Sequence, residues 1–546
     1  LTHEEQAAFF QVVLPEMVRL VLAMPQTFAT PPPLLTPLEQ GEESSAEGAA
    51  STDAGRKARV VTQSHRFTKL EVLTLVCGCF FGVFPDQDIA KATAPELSPP
   101  RRKAGRRGDD DGVIQFPYFT AVRMFSAPGP LGRMVVLKAQ KIRCLLQYFL
   151  RVVPRALSDR AALSAEVIDF TRVGVDLPLA PGRTRAEQTP QDLLETLAAA
   201  SDSTDAASQA QGAAGVDTSP RLYGARCVSD TLIEDLEQHL QVDFANKFAG
   251  GGVLNSGCVQ EEIRFLLSPE LLVSCLVFAK LEPHEAFVVH GTERYSSYLG
   301  YGGSFAYGGD FQDTTRLAAL PDGGLRRACA IVGIDATDYG SARVERQYTR
   351  GHVRRDLVKA YAGFAYPEAH EGGHCWPVAT GNWGCGVFRG DRELKFLIQW
   401  LAASLRHREL VYVLFERDLD LQAKVDPLLA LAASPEAREW DRRSGGVTQW
   451  LAEFLFNELS AERGARGEQS VLARASLSLQ GALAALPLPE ERQQQPESPV
   501  SSEPEPNASG TSPRRGEPSD EGAQKRPKTA AKELHQRTMQ DFFSPK

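Results

Sequence analysis

The sequence predicts an α/β domain with a helical region before it and an unstructured tail after it, and three observations carry that prediction. Residues 240–265 and 378–405 each read as a short apolar strand, a glycine-rich turn and the start of a helix. Apolar residues recur at helical spacing through much of the first 160 positions, and from about Pro487 onward Pro, Ser, Glu and Gln displace them. A chain of 546 residues exceeds one core. The expected organisation is a helical region over 1–160, with 31–60 and about 95–113 flexible. A low-complexity, largely flexible insertion over 161–220, the α/β domain over 221–470 and a disordered tail over 471–546 complete it.

Thr2 and Glu5 have capping-box spacing ahead of Phe9, Phe10, Val13, Met17, Leu20 and Val21, which predicts an amphipathic helix bent near Pro15. Thr68 and Glu71 repeat the capping box before residues 70–84, apolar nearly all round and so expected to be buried. The run RRKAGRRGDDD from Arg101 is a solvated loop, because acids follow the bases at once, and helical patterning resumes over 132–153. Ala, Ser, Asp, Thr and Gln then dominate, with 198–219 read as disordered. RLYGARCV from Arg221 is read as the first strand of the sheet.

Sixty basic against 69 acidic residues give a net charge of −9, so a polyanionic ligand must be held by a local site. Nine scattered cysteines without a CxxC pair read as reduced thiols of an intracellular protein, and no metal site or cofactor is expected. The longest apolar run, near 271–279, falls short of the roughly 20 residues a membrane span needs, so no membrane is expected as a partner. No secretory signal is recognised, and a chain that opens on Leu1 leaves a preceding segment open.

The densest stretch is VDFANKFAGGGVLNSGCVQEEIRF, 242–265. Asp243 and Asn246 stand at the end of a buried strand, where polar side chains of α/β folds face a ligand crevice. Gly250, Gly251 and Gly252 allow positive φ and let backbone N–H groups approach an anion. Seven residues on come Gln260, Glu261 and Glu262. Glycoside cleavage needs one carboxylic acid to protonate the leaving oxygen and a carboxylate to stabilise the sugar cation or activate water, and adjacent glutamates oppose each other's ionisation. The plainer alternative is a glycine turn before an exposed acidic helix start.

Two later segments could complete a pocket. GTERYSSYLGYGGSFAYGG offers Tyr298 and Tyr301, whose rings can cover sugar faces, though a tyrosine-rich surface turn is the alternative. VATGNWGCGVFRGD, 378–391, aims a helix N-terminus and the amides around Gly384, Gly386, Val387 and Phe388 at a phosphate. Phe415, at the end of the last strand, is open to either a site or a core role.

The string of three glycines, seven residues and Gln-Glu-Glu, flanked by VDFAN and EEIRFL, resembles the signature of the poly(ADP-ribose) glycohydrolases. The likeness runs from about Thr231 to about Phe415, and HRFTKLEVLTLVCGCFFGVFP is similar to the family's accessory helical segment. The resemblance implies a macrodomain-like mixed sheet flanked by helices, acting on poly(ADP-ribose) attached to modified proteins and releasing ADP-ribose by hydrolysis of ribose–ribose bonds. It implies Glu262 as general acid and base, with Glu261 and Asp243 as its catalytic companions and Asn246, Gly250, Gly251, Gly252 and Gln260 around the ligand. It further implies Tyr298 and Tyr301 as a clasp, and Asn382, Gly384, Gly386, Val387 and Phe388 as the diphosphate loop. Phe415 would lie against ribose, and Ile233 with Glu234 at adenine, in a register left open against a simple strand-to-turn role. A non-catalytic ADP-ribose reader is the alternative; a nicotinamide-dependent oxidoreductase lacks the GxGxxG after its first strand.

In the tail, QRTMQDFF fits the pattern of peptides that dock on the replication sliding clamp, with Met539, Phe542 and Phe543 as an apolar plug and Gln536 bonding at its side. Lys525, Arg526, Lys528 and Lys532 resemble a nuclear-import cluster or a solubilising charge run. The expected setting is the DNA damage response in the nucleus, with the cytoplasm as an alternative location.

Overall fold

A computed structural model describes residues 1–38, 58–84, 114–126, 132–177, 188–209, 221–340, 343–366, 375–461 and 470–486. The strands, in chain order, are β1 (Arg59–Thr68), β2 (Val167–Asp176), β3 (Ala225–Val228), β4 (Leu240–Asp243), β5 (Glu285–His290), β6 (Ser296–Leu299), β7 (Ala306–Asp310), β8 (Leu317–Ala319), β9 (Leu325–Arg327), β10 (Ala330–Gly333), β11 (Val378–Thr380) and β12 (Leu410–Val413). Eight form one sheet in the order β1-β2-β5-β10-β4-β11-β12-β3. The half from β1 to β10 is antiparallel, while β10, β4, β11, β12 and β3 run parallel. Both faces are covered. Along β5, Ala286 and Val288 point into one apolar cluster with Leu397 and Tyr412, while Phe287 and Val289 point into the other with Val72 and Phe149.

Both capping boxes form. Thr2 Oγ1 accepts from Glu5 N–H (3.1 Å) and Thr68 Oγ1 from Glu71 N–H (3.2 Å), each glutamate returning the bond to the threonine amide. The Lys69–Phe80 helix is buried through most of its length, as its apolar surround requires. At its first residue the Lys69 ammonium is buried among Glu293 (2.5 Å), Glu166 (3.1 Å) and Glu270 (3.4 Å), so charge pairing joins this helix to the sheet region. Burial alone would lower the Lys69 pKa; the three carboxylates reverse that and raise it.

The structure differs from the sequence reading in four places. The stretch expected as a flexible insertion carries β2, all ten of whose residues are buried, and the Pro190–Gln209 helix, which buries Leu193, Leu194, Leu197 and Ala200. β2 tolerates its central Arg172 because the guanidinium pairs with Glu285 and donates to the carbonyls of Ala279 (2.8 Å) and Lys280 (2.8 Å). The stretch expected as tail contributes the Val471–Ala484 helix, packed on the core through Leu472, Ala475 and Leu479. Within the expected 31–60 linker, Leu35 is buried in a bridge with Phe278 and β1 begins at Arg59. The segment from Arg221 does supply a strand of the sheet, β3 at its edge, but as the third in the chain, because β1 and β2 precede it in the same sheet. The basic run from Arg101, the lysine cluster at Lys525 and the segment with Gln536, Met539, Phe542 and Phe543 lie outside the described residues.

Candidate active site

β4 has parallel partners on both sides, so its carboxyl end opens the crevice where ligands of such sheets bind. Asp243 sits there, fully buried, and among the described residues neither carboxylate oxygen meets a hydrogen-bond donor. Burial pushes its carboxyl up to about 8 against the pull of Arg264, and the nearby Glu262 charge pushes the same way. The chain then turns through Gly250 (φ 86°) and Gly251 (φ 49°), backbone that a Cβ would strain.

The Gln260–Leu267 helix returns toward this turn with Glu261 and Glu262 in its first turn, 3% and 6% exposed, so the exposed acidic helix start is ruled out. Glu261 accepts from the amides of Gly250 (2.7 Å) and Asn246 (2.9 Å). Glu262 accepts from those of Gly252 (2.9 Å) and Val259 (2.8 Å), the latter closing the helix cap. Burial pushes the Glu261 carboxyl well above its ordinary value, and the charges of Asp243 and Glu262 add to the shift. The expected repulsion therefore acts within a trio, and it helps raise both Asp243 and Glu261 above their ordinary values. Gln260 ties the cluster to β4: its Nε2 donates to the Val242 carbonyl (3.1 Å) and its Oε1 accepts from the Phe244 amide (2.7 Å).

Beside this cluster lies a cavity of about 660 Å³. Of the residues singled out from sequence, Ile233, Glu234, Gln260, Tyr298, Tyr301, Asn382, Gly384, Gly386, Val387, Phe388 and Phe415 line it. Asp243, Asn246, Gly250, Gly251, Gly252, Glu261 and Glu262 do not. They connect to it through Gln260 and through Val259, whose amide Glu262 holds. The Tyr301 hydroxyl accepts from the Gln260 amide (3.1 Å), which brings the tyrosine loop to the helix start. Burial, then the charge of Glu234, push the Tyr298 hydroxyl well above its ordinary value.

The 381–390 turn is shaped by close approach. A Cβ on Gly384 (φ 73°) would meet Ala336 Cβ at 2.4 Å, and the buried Trp383 anchors the turn by donating Nε1–H to the Ile334 carbonyl (2.9 Å). Among the described residues the amides of Gly386, Val387 and Phe388 donate to no protein acceptor, which leaves them for an anion. Sequence reasoning missed Arg392, Arg417 and Asp418, which also line the cavity. Asp418, 4% exposed, accepts from Asn382 Nδ2 (2.8 Å) and pairs with Arg392 (2.5 Å), fixing the loop from behind. The FERD charges after β12 were the signal for Arg417 and Asp418. Among the described residues no group of three His, Cys, Asp or Glu side chains is placed to hold a metal ion, and no helix is long and apolar enough to cross a membrane.

Residues 217–422 match the family model described as poly(ADP-ribose) glycohydrolase, macro domain fold, and residues 1–172 match the helical domain of the same family. Together the two matches take in more than two thirds of the chain. The chain belongs to the poly(ADP-ribose) glycohydrolase family. It is 28% identical over 443 residues to a probable poly(ADP-ribose) glycohydrolase 2 of Arabidopsis thaliana, an alignment covering 74% of this chain and 71% of that one. It is 34% identical over 245 residues to poly(ADP-ribose) glycohydrolase 1 of the same plant, covering 33% of this chain and 43% of that one. Against poly(ADP-ribose) glycohydrolase 1 of Caenorhabditis elegans it is 37% identical over 193 residues, 34% of this chain and 24% of the relative. Membership in the poly(ADP-ribose) glycohydrolase family makes the chain a glycosidase that hydrolyses poly(ADP-ribose). The macro-domain match contains the cavity and the paired glutamates; the helical match also contains β1 and most of β2, which pair into the same sheet.

Proposed function

We propose that Glu262 is the general acid and base of this hydrolysis. The carboxyl gives its proton to the departing ribose oxygen as the glycosidic C–O bond breaks and its electron pair goes to that oxygen, leaving an oxocarbenium-like sugar. The carboxylate then takes a proton from a water whose oxygen joins the anomeric carbon, and the starting state returns. Glu261 orients the ribose hydroxyls, while Asp243 and Asn246 fix the neighbouring groups. The amides of Gly386, Val387 and Phe388 hold the diphosphate, Phe415 covers a ribose face, Tyr298 and Tyr301 clasp the ligand, and Ile233 with Glu234 meets the adenine. One observation carries this reading: a buried glutamate with both oxygens aimed by backbone amides, next to a cavity whose lining offers unused N–H groups. Incubation of the purified chain with polymer made by automodification should release free ADP-ribose, read by chromatography. Polymer bound but left at full length would mean an ADP-ribose reader instead.

The tail motif supports a second, independent element of function. In QRTMQDFF one helical turn would present Met539, Phe542 and Phe543 to the sliding clamp with Gln536 beside them, and the lysine cluster at Lys525 would take the chain to the nucleus, where the DNA damage response supplies polymer. Replacing Phe542 and Phe543 by Ala should abolish binding to purified clamp in calorimetry while polymer hydrolysis continues. Undiminished clamp binding would refute the docking.

A further inference from the structure

The helical region sends one charged side chain into the loop that aims Glu262. Lys141, on the Arg133–Ser158 helix, is completely buried. Its ammonium donates to the carbonyls of Gly257 (2.6 Å), Asn255 (2.9 Å) and Gly252 (3.4 Å). A buried ammonium needs partners for all its N–H groups, and one turn of the 252–257 loop supplies them. The same Gly252 whose carbonyl Lys141 holds donates its own amide to Glu262 Oε1 (2.9 Å). The same loop is pressed against that carboxylate, since a Cβ on Gly257 would lie 2.4 Å from Glu262 Oε1. We propose that Lys141 is a positioning residue through which the helical region sets the aim of Glu262. Burial lowers the Lys141 pKa to about 8; Cys258, Glu262 and Cys144 oppose the shift and Lys138 adds to it, so the cation persists at neutral pH.

This inference rests on Glu262 being the acid and base, and a double-mutant cycle separates the two. Lys141→Met should lower kcat roughly 10- to 100-fold, as a small misplacement of a catalytic group does, with the Kd for ADP-ribose within about threefold of wild type. In a Glu262→Gln background the same replacement should change the residual single-turnover rate by less than about threefold, because the group it aims is already gone. An unchanged kcat for Lys141→Met beside an inactive Glu262→Gln overturns the positioning role alone. Equal losses in both backgrounds with weakened ADP-ribose binding overturn it too, in favour of a structural role. Normal turnover by Glu262→Gln would sink the proposed acid and base instead. If Lys141→Met gives no folded protein, Lys141→Gln, which keeps donors but no charge, is put through the same cycle, where the same results support or overturn the positioning role.

Discussion

Glu262→Gln is expected to reduce the rate of polymer cleavage by about three orders of magnitude, within the range that a positioned acid and base contributes. The amide cannot surrender a proton to the leaving oxygen or take one from water, so both halves of the reaction fail. The side-chain oxygen can still accept from the Gly252 amide, but the amide nitrogen would face the Val259 N–H, two donors where an acceptor stood. Loss of that cap should cost about 0.5–2 kcal/mol. ADP-ribose affinity should stay within a few-fold, because the cavity is lined by other residues. Turnover and Kd measured on the same preparation check the split: a parallel fall in both would point to a collapsed site.

Gly257→Ala should damage the site by displacing the Glu262 carboxylate itself. Its Cβ would meet Glu262 Oε1 at 2.4 Å, Glu262 Cδ at 2.8 Å and the Gly252 Cα at 2.8 Å. The carboxylate could swing away, but the backbone of Gly252 is held by the Glu262 and Lys141 contacts, so relief must come at the expense of Glu262's position. Turnover should fall about 100-fold, the loss that follows from a displacement near 1 Å at a reacting group, with a stability loss of about 1–3 kcal/mol from overpacking. Gly481→Ala, where a Cβ meets nothing within 4 Å in the Val471–Ala484 helix, is the matched control. It should leave turnover unaltered and raise the melting temperature slightly. Turnover of Gly257→Ala at the wild-type level would show that the loop does not govern the carboxylate.

The centre of the site was legible because its signal is local. A strand end, three glycines and the glutamates lie within two dozen residues, and the turn that joins them needs glycine backbone at Gly250 and Gly251. The Gly384 turn and Tyr301 could be read for the same reason. β1 and β2 escaped because each finds its partner about a hundred positions away, and Arg172 in the middle of β2 looks solvent-facing until Glu285 and the carbonyls of Leu35, Ala279 and Lys280 enclose it. The Pro190–Gln209 helix was hidden by its Ala- and Ser-rich composition, although Leu193, Leu194 and Leu197 hold the apolar spacing that anchors it. Asp418 and Arg392 become a pair only when the end of β12 meets the helix that starts at Arg392. Lys141 is one cation among many on an amphipathic helix in sequence, and only the assembled fold turns it toward the glycine loop.

Strands β1 and β2 are drawn from the amino-terminal match, yet β2 is bonded to β5 from Asp169 opposite His290 to Gly174 opposite Glu285. Removing the segment before Arg221 would strip β5 of that neighbour and bare a row of backbone groups beside Phe287 and Val289. The two matched regions thus share one sheet, and a shortened version meant to keep that sheet whole has to start upstream of Arg59.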